Sequence, residues 1–479
     1  MDNEIRSSEP RRSGAFSRTS SVDSSLRRRS SGASAIAASQ IDDDTESESV
    51  SQAGDIGDRA IQSIRYSKSG RAIPNTRYSG SGHSCFLIDD VIEAGVGVSI
   101  QEDSLLKSLS SRSCNADLSD TILPSDNVHS HSPNHLQCVE DQPSDDKKEL
   151  PCSLQYVSCL LHLAVFGILG VLTRYLLQKL FGPGVAGVTS DHSIVYLDLP
   201  SNMVGSFLMG WFGVIFKGAI SRFSDLLAIG LTTGYLGSLT TFSGWNQKML
   251  DLSVHGHWVS SSLGFLLGLF LAAYSLIFGV ETARGFQWLL ERPSSGGTAP
   301  ISGSTWRVDS RERRLVALLA MALILGLLWG LSGALEKHEF SHGGNGAKLW
   351  LACLVGPVGV WVRWFLARLN GRGLGATGYL KWVPFGTLLA NVSAACIMAA
   401  LATLKKVVRN QRCETVATGI QLGFLGCLST VSTFIVEFDA MRQSSHPWRA
   451  YAYAVMTIIP SFALGTLLYS VPVWAEGYD

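Results

Sequence analysis

The stretch Gly234-Tyr235-Leu236-Gly237-Ser238-Leu239-Thr240-Thr241-Phe242-Ser243-Gly244-Trp245 returns as Gly423-Phe424-Leu425-Gly426-Cys427-Leu428-Ser429-Thr430-Val431-Ser432-Thr433-Phe434. Each copy lies midway along an apolar segment long enough to cross a bilayer. Glycine and adjacent hydroxyl residues at that depth loosen a helix and leave backbone N–H and C=O groups unpaired. Lipid offers such groups no partner, so a break survives only inside protein or beside a wet cavity. A duplicated broken helix at the midplane predicts an ion or substrate site.

Two unlike regions are averaged in the zero net charge of the chain. Residues 1–152 are rich in Ser, Asp, Glu and Arg, with blocks such as Arg27-Arg28-Arg29-Ser30 and Asp42-Asp43-Asp44. That composition cannot bury enough apolar surface to offset chain entropy, which predicts a disordered cytosolic tail. No apolar signal segment opens it. The nine cysteines show neither a CxxC pair nor metal spacing, so no disulfide framework or zinc site is expected.

From about Tyr156 the chain is mostly apolar spans. Helices are predicted near 157–180, 194–217, 225–250 and 258–281, then a lone one near 314–335 after a polar loop. Four more follow near 348–369, 382–404, 416–440 and 449–471. Each reaches the length that a hydrocarbon core of roughly 30 Å demands. The expected fold is therefore an all-α polytopic membrane protein of about nine spans.

The second four helices echo the first. Gly170-Val171-Leu172-Thr173-Arg174 is matched by Gly359-Val360-Trp361-Val362-Arg363, Asn202 by Asn391, and the third helices share the opening motif. Three elements in the same order make an internal repeat, 153–283 and 337–479, joined by a loop and linker helix over 284–336. An odd helix between them inverts the second repeat about a pseudo-two-fold axis in the membrane plane. The Lys and Arg bias favours a cytosolic N-terminus and an extracellular C-terminus, carried by the cluster after the fourth helix.

Asn202 and Asn391 are amides in apolar helices, where an unpaired amide is costly; they either join helices or line a site. Arg174 and Arg363 lie near span ends, where an arginine is expected to snorkel to the interface. Phe242 and Phe434 sit beside the breaks, and the positive edge of an aromatic ring suits an anion. No span carries a central carboxylate or lysine, since Glu281 and Glu437 fall near predicted ends; this weighs against proton-coupled exchange. No nucleophile motif points to catalysis, and His162 stands alone.

These elements resemble the CrcB-like fluoride channel family in its fused double-repeat form. The resemblance rests on Gly170-x-x-x-Arg174-Tyr175, Gly386-Thr387-x-x-x-Asn391 and both third-helix motifs, and covers about residues 155–471. It implies passive, potential-driven export of fluoride across the plasma membrane by a protein that is not an enzyme. It implies a structural sodium ion held by main-chain carbonyls at Gly237, Thr240, Gly426 and Ser429. It places Asn202, Asn391, Phe242 and Phe434 along the fluoride path, with the hydroxyl track Tyr453, Thr457 and Ser461 on one helix face. Fluoride and the lipid bilayer are the implied partners, without nucleic acid. One chain holds both repeats, so a monomer is expected.

The family pattern has Phe at both bulky positions of each third-helix motif. Here the first repeat has Phe242 then Trp245, and the second Val431 then Phe434. The two-fold relation would pair Phe242 with Phe434 and Val431 with Trp245. The fourth helix of the first repeat offers Gly264, Gly268 and Ala272 where the second has its hydroxyl track, a spacing that suggests tight packing. One conducting pore of two is the expectation.

Overall fold

The computed structural model describes residues 151–190, 193–216, 220, 224–291, 311–342, 346–370 and 380–477. The expected disordered tail lies outside them, apart from its last residues. Helix α1 (Cys152–Phe181) is followed by α2 (Leu199–Trp211). The third segment runs as Asp225–Ile229, a π-helical Gly230–Leu236 and Gly237–Leu239, together α3. After the break come α4 (Phe242–Val254) and α5 (Trp258–Glu291). The linker is α6 (Arg311–His342). The second repeat follows as α7 (Ala347–Ala367), α8 (Phe385–Val407), α9 (Gln411–Ile420, π-helical Gln421–Leu425, Gly426–Leu428) and α10 (Ser432–Gln443). It closes with α11 (Trp448–Gly465), a π-helical Thr466–Ser470 and α12 (Val471–Glu476).

Among the described residues seven helices are long and apolar enough to cross a membrane, with Leu199–Ile215 a shorter apolar one. The second helix starts later than expected, because Pro200 favours the first turn of a helix and the chain before it turns. The third segment of the first repeat divides into short pieces at its break. The other helices overlap the expected spans with shifted ends, α5 reaching Glu291 rather than 281, α7 ending at Ala367 rather than 369 and α8 starting at Phe385 rather than 382.

The repeats correspond at a constant offset of 189 residues, from Arg174 to Arg363, Asn202 to Asn391, and Gly237 to Gly426. Contacts obey the same relation. Helix α1 packs on α3, as α7 does on α9, and the two first helices pack on each other. Helix α4 lies against α8 and α11 of the other repeat, while α10 lies against α2 and α5. Gly170 and Gly359 permit the close crossings: a Cβ there would run into the backbone of Tyr235 and Leu239, or of Phe424 and Leu428. The linker α6 packs chiefly along α1 and α7, and turns Leu319, Leu323 and Leu327 outward as a lipid-facing side should.

Candidate functional site

Both third helices lose regular hydrogen bonding before they break. The Thr241 N–H, which would close on Gly237 in a continuing helix, goes instead to Asn202 Oδ1 at 2.8 Å. Asn202 Nδ2 returns a bond to the Thr241 carbonyl at 3.1 Å and another to the Tyr196 hydroxyl at 3.2 Å. Asn391 makes the same pair with Thr430, at 2.8 and 3.0 Å, and no third bond among the described residues. Each asparagine therefore replaces the helix bonds that the break removes. Helix α8, which carries Asn391, packs against α4 and α11; α2, which carries Asn202, packs against α10 and α5.

The two breaks cap one another. Thr240 and Ser429 are extended, with φ/ψ of −96/150° and −84/157°. Ser429 Oγ accepts the N–H groups of Phe242 and Ser243 at 3.2 and 3.0 Å, so the other repeat adds a cap to the first turn of α4 beside its own N-cap, Thr241, whose Oγ1 accepts the Gly244 N–H at 3.4 Å. Thr240 Oγ1 accepts the N–H groups of Val431 and Ser432 at 3.1 and 3.0 Å, capping α10. Around them Thr241, Ser243, Thr430 and Ser432 complete a buried hydroxyl cluster. Side-chain oxygens thus hold the crossing together. The resemblance implied a main-chain role for Ser429, and its side chain has a role as well.

Arg174 and Arg363 do not snorkel. They are 1% and 5% exposed. Arg174 Nη1 donates to the Gly426 carbonyl at 2.8 Å, and Nη2 donates to the Leu422 carbonyl. Arg363 Nε donates to the Cys427 carbonyl at 2.7 Å and Nη2 to the Thr233 carbonyl at 2.8 Å. Thr233 and Leu422 lie in the π-helical turns. Such turns displace carbonyls from their usual donors, and each guanidinium fork serves one of them together with a second carbonyl, of Gly426 or Cys427, beyond the turn. That gain, together with the crossing point of the repeats, overrides the pull of the interface. Arg363 also lines a small cavity with Thr233, Ala367, Asn370, Thr387, Thr430 and Thr433.

The expected Phe242–Phe434 pairing is present, with ring centroids 6.3 Å apart. Phe434 continues to the Tyr453 ring at 5.2 Å. The Tyr453 hydroxyl donates to Glu437 Oε2 at 2.7 Å, and Thr387 Oγ1 donates to Glu437 Oε1 at 2.7 Å. Glu437 is wholly buried, not near a span end as expected, because α10 runs on to Gln443 and the Glu437 face turns inward. Its spacing of one turn after Phe434 was the signal in the sequence. Tyr453, Thr457 and Ser461 are all fully buried on one face of α11. The Thr457 and Ser461 hydroxyls donate to the carbonyls of Tyr453 and Thr457, at 2.9 and 2.7 Å.

The counterpart of this line in the first repeat is filled. Val431 is buried, and Trp245 finds its rings in Tyr196, stacked at 6.2 Å, in Phe265 at 5.7 Å and, edge-on, in Phe242 itself at 5.7 Å. The Trp245 indole donates to the Gly264 carbonyl at 3.3 Å and covers Gly268, where a Cβ would run into it. The glycines expected to bring helices together instead seat this side chain and Met249. Lys248 is buried on α4 at the position matching Glu437.

Four carbonyls were expected to hold sodium. Gly237 and Gly426 lose their ordinary i+4 donors to the asparagines. Gly426 then receives Arg174, whereas the carbonyls of Thr240 and Ser429 accept no hydrogen bond among the described residues. Uncommitted carbonyls at a buried crossing are hard ligands of the kind an alkali cation takes. Gly237, Thr240 and Ser429 offer carbonyls of that chemistry, whereas Gly426 shares its oxygen with a guanidinium.

This is a polytopic membrane protein of two four-helix repeats whose broken third helices cross and cap each other. The profile of the family described as CrcB-like protein, Camphor Resistance (CrcB) matches residues 161–280 and 350–468, one match per repeat. The chain is 32% identical over 130 residues to the fluoride-specific ion channel FluC of Geobacter sulfurreducens, covering 98% of that protein and 27% of this one. It belongs to the CrcB-like family. It is 25% identical over 284 residues to fluoride export protein 1 of Candida albicans, covering 55% of this chain and 65% of that protein. With fluoride export protein 1 of Neurospora crassa it shares 27% over 277 residues, 53% of this chain and 49% of that one. The chain thus spans from about half to just under two thirds of these fungal relatives. No solved structure matches it.

Proposed function

We propose that the chain is a channel, not an enzyme, through which fluoride leaves the cytosol passively along one path. The observation that carries the reading is the asymmetry between repeats. One line joins Phe242, Phe434, Tyr453 and Glu437, with Thr457 and Ser461 beyond; its counterpart is filled by Trp245. The substrate comes from the names of the relatives, fluoride export proteins and fluoride-specific channels.

The chemistry agrees with both. Ring edges are the positive part of an aromatic and meet a small anion without placing a full charge in lipid. The hydroxyls of Thr457 and Ser461 hold their protons on their own helix, where an anion can compete for them. Arg363 beside the Thr387 cavity supplies positive potential near one end of the line. HF crosses membranes and ionises in neutral cytosol, and an inside-negative potential drives the anion outward by roughly 2.3 kcal/mol per 100 mV. A pore then suffices for export.

The reading includes a plasma-membrane location, a cytosolic N-terminus, an extracellular C-terminus and a single chain as the working unit. It also includes a structural sodium ion on the carbonyls of Gly237, Thr240 and Ser429, which would stabilise the crossing. The test is fluoride efflux from liposomes holding the purified chain, with chloride as control. Efflux of fluoride without chloride is expected, and equal rates for both would sink the reading. A second reading, proton-coupled exchange, draws on the buried Glu437 carboxylate. Flux driven by a pH gradient at zero potential would favour it.

A further inference from the structure

Three asparagines are fully buried in the broken-helix core, and they are not used alike. Asn202 and Asn391 each bind both polar groups of a break residue, at 2.8–3.1 Å. Asn246 does neither. It is wholly buried on α4, its Nδ2 reaches only the Ser461 carbonyl at a long 3.4 Å, and its Oδ1 has no partner among the described residues. A buried amide left this far from satisfied costs several kcal/mol in an apolar surrounding, so packing alone is a poor reason for it.

Its position gives the reason. Asn246 follows Phe242 by one helical turn, so both lie on the face of α4 that meets α11. There it stands against Ser461 and Gly465, a Cβ at Gly465 falling 3.3 Å from Nδ2. Ser461 is the last hydroxyl of the Tyr453, Thr457, Ser461 face. The residue equivalent to Asn246 in the second repeat is Ile435, on α10, the helix that meets α5 in the filled counterpart. Polarity at this position therefore occurs only beside the open line.

We infer that Asn246 is a further residue of the anion path. Its weakly held amide N–H groups form a binding position with Ser461, past the ring edges, for a small halide that has shed part of its water. An amide offers two N–H donors on one atom, and in a low-dielectric site each is stronger than in water. The second N–H of Asn246 has no other use among the described residues. The inference rests on the channel reading above.

The test compares Asn246→Thr and Asn246→Val, nearly equal in volume and differing by one hydroxyl donor, in the full chain reconstituted in liposomes. Fluoride efflux should fall about tenfold in the valine variant, the factor that losing one hydrogen bond of about 1.4 kcal/mol gives, and stay within about threefold in the threonine variant. The melting temperatures of the two in detergent should agree within a few degrees. Valine at the wild-type rate, or threonine falling as far as valine, overturns the role of Asn246 while leaving the channel intact. Should the valine chain not reconstitute, Asn246→Ala against Asn246→Ser decides by the same criterion. A wild-type chain that carries no fluoride sinks the channel reading itself, whatever the variants do.

Discussion

Ser429 Oγ of the second repeat accepts the Phe242 N–H of the first at 3.2 Å, while Thr240 Oγ1 of the first accepts the Val431 N–H of the second at 3.1 Å. Each repeat thereby helps to start the other's second half-helix. A chain with one repeat damaged loses a cap in the intact one.

Ser429→Ala should consequently be harmful. It leaves two buried N–H groups without an acceptor, at a cost of about 1–3 kcal/mol, whereas Ser429→Thr keeps the oxygen. Thermal melting in detergent is the measurement. An alanine variant as stable as the parent would show that the cap carries no weight.

The four bulky positions test the two lines, although the Phe242 and Trp245 rings touch edge-on at 5.7 Å. Phe242→Ile and Phe434→Ile should each silence fluoride efflux, because they remove edges from the open line. Val431→Ala and Trp245→Leu should leave most of the flux, although Trp245→Leu will lower stability by about 2–4 kcal/mol through the cavity left over Gly268. Comparable losses of flux in both pairs would mean that two pores conduct.

Arg363→Lys tests the crossing from the other side. One ammonium cannot reach the Cys427 and Thr233 carbonyls together as the guanidinium fork does. At least one buried carbonyl is then orphaned, and stability should drop by about 1–3 kcal/mol. Gly237→Val places a side chain onto the same guanidinium and should fold worse still. If both melt with the wild type, the arginine is not part of the frame.

Sodium can be tested without flux. Replacing it with N-methylglucamine should lower the melting temperature of the purified chain, since a ligand present at about a hundred times its Kd stabilises by about 2.7 kcal/mol. A midpoint indifferent to the cation would remove the ion from the crossing.

Tyr453→Phe takes one of two hydroxyl donors from the Glu437 carboxylate, and Thr387→Val takes the other. Each should reduce efflux, and the double variant should lose less than the product of the single losses, as expected of residues sharing one partner. Independent effects would show that Glu437 does not link them.

The sequence by itself determined the membrane class, the two repeats, the odd linker helix and the places where the third helices break. Those follow from apolar run length, from motif order, and from glycine and hydroxyl residues at a depth where backbone cannot go unpaired. It also singled out Phe242 and Phe434, Asn202 and Asn391, and the face of Tyr453, Thr457 and Ser461. Only the tertiary structure decided what these residues do to one another. Arg174 and Arg363 are drawn inward because π-helical turns of the third helices offer them the carbonyls of Leu422 and Thr233. Ser429 and Thr240 serve as caps because the breaks meet, and Glu437 and Asn246 are buried because α10 and α4 turn those faces toward α11. Such partners lie 64 to 252 residues apart in several of these bonds, and local periodicity, which reads one helix at a time, carries no information about them.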